Sequence, residues 1–284
     1  MFVMLVLFDA CWMPDLEIAQ YIPGVHNSAW VQCPTHDILR AFAAGDATAI
    51  ARLRRYVVQV VGRFAADPRV AIWDIYNEAS MRSSEHWILP RIAARHGWQK
   101  HPSHWLLDGE KLQATFKLLH EAFAWARSAG PTQPLTTAVW DFPGVEDEDD
   151  VAKFKMGFNQ ALLDLSDVVS MHCYCEPDEL QSLLTELSGL QRGPVLLTEF
   201  MARPRNSTVA NSLPILRHHG AWGYTWGFFR GRSQTHRSWD TWMRDDIAED
   251  ALWFHDLFHE NGTAYDPDEI KDIWWHTRGR DLSV

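Results

Sequence analysis

Short apolar runs recur along this chain, separated by longer amphipathic segments, and that rhythm constrains the fold more than any other feature. The runs are 2–8 FVMLVLF, 70–76 VAIWDIY, 135–140 LTTAVW, 167–172 DVVSMH, 194–198 PVLLT and 221–226 AWGYTW. Helical patterns lie near 46–65, 107–128, 151–165, 177–190 and 207–219. Within 110–128, Leu112, Phe116, Leu119, Phe123 and Ala126 recur at helical spacing, and Gly130-Pro131 ends the segment. Strand alternating with helix at this spacing predicts parallel βα units in an α/β fold. No linker-like stretch interrupts the pattern, so one domain is expected over residues 1–284.

The residues that follow the runs are not those of a plain core. The first run ends on Asp9, the second on Asn77-Glu78, the third on Trp140-Asp141. The fourth gives His172 and Tyr174, the fifth Glu199, the sixth Trp226. Two connections, 9–45 and 79–106, are long and rich in His, Trp, Pro and Asn. In parallel α/β proteins, long loops after strands build the site. Glu78 and Glu199 are the sharpest candidates, because glycoside hydrolysis needs one protonated carboxyl for the leaving oxygen and one ionised carboxylate for the anomeric carbon. Asn77 is placed to bind a sugar hydroxyl, and His172 with Tyr174 to orient the second carboxylate. The competing explanation pairs each glutamate with a nearby arginine, Arg82 or Arg203. For one glutamate that explanation would win; for two, each at a strand exit, chemistry is favoured. Of the 15 tryptophans, Trp12, Trp30, Trp140 and Trp226 are candidate stacking platforms for sugar faces, whereas Trp222 is expected in the core.

Charge and composition exclude other classes. The formal charge is −11 and no Lys/Arg cluster marks a groove, so nucleic acid is not an expected partner. No run approaches the roughly 18 apolar residues of a membrane span. The N-terminal run lacks a basic flank and a small-residue cleavage site; it reads as a strand, and a cytoplasmic location is expected. The acidic run 146–150, EDEDD, reads as solvated surface. Cys11, Cys33, Cys173 and Cys175 fit no usual disulfide or zinc spacing, so free thiols are expected. A metal-dependent hydrolase built on His26, His36 and His172 lacks any H-x-H or H-E-x-x-H spacing, and no cofactor is expected.

WDIYNE followed by PVLLTEF resembles the glycoside hydrolases of clan A, especially family 5 and its neighbours. That resemblance implies a TIM-barrel-like (β/α) barrel and a retaining enzyme acting on β-linked poly- or oligosaccharides. It implies Glu78 as acid/base, Glu199 as nucleophile, His172 and Tyr174 as the H-x-Y after the sixth strand, and Trp226 as the aromatic of the eighth. VLFDACW and HNSAWVQCP resemble the third strand and its loop, which adds Asp9, His26 and Asn27 to the substrate-binding candidates. Ala79 stands where the family commonly has proline. By this alignment the sequence opens on the third strand, leaving six of eight units recognisable and no counterpart of the arginine that the family carries on strand 2. The barrel is therefore expected to be incomplete, and a catalytically weak or silent carbohydrate-binding scaffold is the alternative reading. Open apolar edges at 2–8 and 221–226 would template pairing with another chain. A homodimer, or a refolded 9–45 loop, is expected to cover them.

Overall fold

Six strands form where the six apolar runs lie, and among the described residues all of them pair in parallel. The structure is a computed structural model that describes residues 2–14, 16, 20–82, 106–144, 147–249 and 251–278. Most of the 79–106 connection lies outside them. The chain divides into two compact units: Met1–Gln20 with Trp30–Val168, and Tyr21–Ala29 with Val169–Val284.

The first unit runs β1 (Val3–Asp9), α1 (His36–Ala43), α2 (Ala47–Phe64), β2 (Val70–Asn77), α3 (Asp108–Ser128), β3 (Leu135–Thr136) and α4 (Asp149–Leu165). Its sheet has the order β1-β2-β3. β2 is rich in β-branched and aromatic residues and buried on both faces, as a helix-covered parallel strand must be. Asp74 lies inside this strand with its Oδ1 accepting the Tyr76 N–H at 3.2 Å. α2 starts at Asp46, whose carboxylate accepts the Ala49 N–H at 2.7 Å, and buries Leu53, Val57 and Val61 at helical spacing. In α3 the buried stripe is Lys111, Ala114, Thr115, Leu118, Leu119, Ala122, Phe123, Trp125 and Ala126. Phe116, expected on that stripe, is instead 38% exposed and meets Phe158 of α4 edge-on at 5.2 Å. The connection 9–45 is not all loop: its last part is α1, which seats Phe42 against Trp125.

The second unit runs β4 (Ser170–His172), α5 (Pro177–Ser188), β5 (Leu196–Phe200), α6 (Val209–His219), β6 (Trp222–Thr225) and α7 (Pro267–Arg278), with the sheet order β4-β5-β6. Gly223 lets α6 close on β6, since a Cβ there would meet Leu216 Cδ1 at 2.6 Å and Phe200 Cε1 at 3.0 Å. Trp222, expected in the core, is 61% exposed: β6 is the sheet's edge strand and turns its side chains outward. The segment Tyr21–Ala29 belongs to this unit through Gln234. The Gln234 Oε1 accepts from Gly24 N–H at 2.6 Å, and its Nε2 donates to the Ile22 and Val25 carbonyls at 2.8 and 2.7 Å. No helix among the described residues is long and apolar enough to cross a membrane.

Candidate active site

In the first unit the β1–β2 register sets Asp9 beside Asn77, so both strands deliver polar groups at the same level. The Asp9 carboxylate accepts from the Cys11 N–H at 2.7 Å, Trp30 Nε1 at 2.9 Å and Asn77 Nδ2 at 3.4 Å. Burial pushes the Asp9 carboxyl above its ordinary range, against those donors, and the charge of Glu78 adds to the rise. Glu78 follows directly on β2. It is 8% exposed, and the Cys11 thiol donates to its Oε2 at 2.9 Å. Glu78 also adopts φ 46°, in the left-handed region, and Trp12 has φ 71°. Such backbone in non-glycine residues costs about 1–3 kcal/mol and concentrates at functional sites. Lys111 donates to the Ala10 carbonyl at 2.7 Å; its burial lowers the ammonium to about 8 against the pull of Cys11, Asp9, Asp108 and Glu78.

In the second unit the β4–β5 register sets His172 beside Glu199. The Tyr174 hydroxyl donates to Glu199 Oε2 at 2.7 Å, and His172 Nδ1 lies 3.4 Å from the same oxygen. Tyr174 is braced by Trp239 and His255, with ring centroids at 5.0 and 5.3 Å. The His255 ring is bonded to the Met201 carbonyl, and Met201 has φ 91°, two residues beyond Glu199. Burial first, then neighbouring His26, holds His255 well below its ordinary pKa, so it is neutral at pH 7.

Asp9, Asn77, Glu78 and Trp30 share one cluster; His172, Tyr174 and Glu199 share another. Trp12 is half-buried in the first unit, as is Trp140 beyond β3. Trp226 follows β6, half-buried, its N–H on the Phe200 carbonyl at 3.0 Å. His26 and Asn27 are interior residues, 0% and 1% exposed, and His26 Nδ1 is bonded to the Arg237 carbonyl. His36 Nδ1 accepts the Leu106 N–H at 2.9 Å. Arg203 does not pair with Glu199. Its guanidinium forks onto Glu269 at 2.6 and 2.8 Å. The expectation of four free thiols is corrected: Cys173 and Cys175 form a disulfide, while Cys11 and Cys33 remain thiols. Extended backbone would hold residues i and i+2 about 6.6 Å apart. Past the end of β4 the two Cα atoms stand closer, at 5.3 Å, within bridging range.

Cys11, Lys111, Trp239 and His255 were not singled out from the sequence. Lys111 carried a legible signal, since it occupies an apolar-stripe position of an amphipathic helix, where an ammonium needs a partner. Trp239 opens a short 3-10 helix, Trp239–Trp242, and His255 lies in irregular chain, both beyond β6 where no periodicity marks them.

No family model matches the chain, and no curated protein does. Solved structures do. The hyperthermophilic β-glucosidase from Pyrococcus furiosus superposes with a TM-score of 0.52 at 15% identity, covering 85% of this chain and 63% of that one. The catalytic core of xylanase A gives 0.50 at 17% identity, covering 84% and 74%. The fold is that of the barrel glycosidases. The βα barrel expected from WDIYNE and PVLLTEF is thus matched at the level of the fold, with six parallel strands described. The chain spans less than two thirds of the β-glucosidases it matches, at 60%, 62% and 63% of their lengths.

Proposed function

We propose that the chain is a retaining glycoside hydrolase acting on β-linked oligo- or polysaccharides, with Glu199 as nucleophile and Glu78 as acid/base. The observation that carries this reading is the pair of groups on Glu199, the Tyr174 hydroxyl at 2.7 Å and the His172 ring at 3.4 Å. Two side chains on one oxygen fix the carboxylate's rotamer, as a nucleophile aimed at an anomeric carbon requires. Glu78 supports the complementary role. It follows directly on another parallel strand, is nearly buried, and accepts from the Cys11 thiol at 2.9 Å. In the first step Glu199 attacks the anomeric carbon while Glu78 gives its proton to the departing oxygen. In the second, Glu78 takes a proton from water, which displaces Glu199 with net retention.

Asn77 and Trp30 are assigned to sugar hydroxyls and a sugar face, and Trp226 to a second stacking position. Hydrolysis of β-linked glucan, mannan, xylan and aryl glycosides by the wild type and Glu199→Gln tests the proposal. Turnover on at least one substrate, lost in the variant, is expected. A folded wild type that binds sugars without turnover would leave a carbohydrate-binding scaffold in its place.

A further inference from the structure

We propose that the Cys173–Cys175 disulfide is a redox-controlled clamp that holds Tyr174 on Glu199, and that its reduction by a dithiol slackens the carboxylate and lowers turnover. The inference rests on the reading of Glu199 as the nucleophile. It starts from the spacing: Tyr174 is the single residue enclosed by the bridge. Closing a ring through its two neighbours restricts the backbone on both sides of it, which removes freedom that the tyrosine would otherwise have to lose when it meets its partner.

Both ends of the clamp have structural support. Cys173 is 7% exposed, and its N–H donates to the Glu199 carbonyl at 3.0 Å, so the bridge is tied to the backbone of the residue that Tyr174 addresses. On the far side Glu176 accepts from Asn206 Nδ2 at 2.7 Å, and α5 begins at Pro177. Cys173 and Cys175 are thus positioning residues, which act on Glu199 through the Tyr174 hydroxyl.

Cys175 is the half-buried partner and the accessible one. A dithiol's thiolate attacks its Sγ, the Sγ–Sγ bond breaks, and Cys173 departs as a thiolate that takes up a proton. The reductant's second thiol then attacks its own sulfur in the mixed disulfide and releases Cys175, also protonated. Two electrons and two protons pass to the protein, and the dithiol leaves as its cyclic disulfide. Cys11 and Cys33, already thiols, are unchanged by the exchange.

The test compares untreated and dithiol-treated wild type, Cys173→Ser/Cys175→Ser, and Tyr174→Phe. Thiols are titrated in denaturant, kcat and KM are measured on an aryl β-glycoside, and amide exchange is followed over residues 172–176. Two thiols are expected in untreated wild type and four after reduction. Reduction is expected to lower kcat about tenfold with KM little changed, the effect of losing one hydrogen bond to a carboxylate. The double serine variant should match the reduced enzyme, and neither it nor Tyr174→Phe should respond to dithiol. Amide exchange over 172–176 should quicken on reduction of the wild type. Four thiols before reduction, or kcat and exchange that ignore it, would overturn the clamp. Absence of turnover in every state would remove the hydrolase reading instead, and the exchange arm alone would then decide whether the bridge holds Tyr174.

Discussion

Lys111→Met should change how stability depends on pH, by an amount that the structure sets. The ammonium is buried at 2% exposure and bonded to the Ala10 carbonyl, and burial brings its pKa from 10.5 to about 8. Between those values the unfolded chain holds the proton and the folded chain does not. Stability attributable to this group therefore rises with pH across the interval, by roughly 1.4 kcal/mol per pH unit. Below pH 8 the full cost of burying the charge is present, about 3 kcal/mol over the interval. Methionine removes that cost but leaves the Ala10 carbonyl without its donor, which takes back about 1–3 kcal/mol. The stability difference between variant and wild type should thus fall by about 3 kcal/mol from pH 7.5 to pH 10.5, with other titrations cancelling in the comparison. Urea unfolding of both proteins at intervals across that range reads it. A difference that stays constant with pH would refute the reasoning, because it would mean that Lys111 keeps its proton when buried.

Other expectations follow from single observations. Arg203→Met strands Glu269, 11% exposed at its side chain, and should cost about 3–5 kcal/mol in urea unfolding; a loss under 1 kcal/mol would show that the pair is solvated. We expect the two compact units to unfold as one domain, since the Tyr21–Ala29 segment of the second is embedded in the sequence of the first; two separated calorimetric transitions would contradict that. With Trp222 and Tyr224 exposed at 61% and 41% on edge strand β6, a second copy is expected to cover that edge. Sedimentation that shows only monomer at micromolar concentration would count against the dimer.

β2, β4 and β5 are legible because a buried parallel strand writes itself as a continuous apolar run, and all six runs lie on strands. The carboxylates were legible for the complementary reason: a charge placed where such a run ends breaks the pattern. Position 116 was misread because helical spacing fits two adjacent faces of α3, and only packing against Phe158 shows which one faces the core. Trp222 was misread because size suggests burial, while its exposure depends on where β6 stands in the sheet. The Cys173–Cys175 bridge is not legible because a C-x-C pair in extended chain stands near the limit of bridging distance, and nothing in HCYCE marks the closer approach that the structure shows. His26 and Asn27, assigned from resemblance alone, are interior, and their hydrogen-bonded neighbours lie more than 200 residues away.

The central claim is that Glu199 forms a bond to the sugar. The measurement that meets it most directly is the configuration of the first-formed anomer, followed by NMR before mutarotation on whichever β-glycoside the wild type hydrolyses. The β-anomer appearing first, with Glu199→Gln inactive on the same substrate, is the result that two displacements through Glu199 predict. The α-anomer appearing first would mean that water attacks directly, and Glu199 would not be the nucleophile.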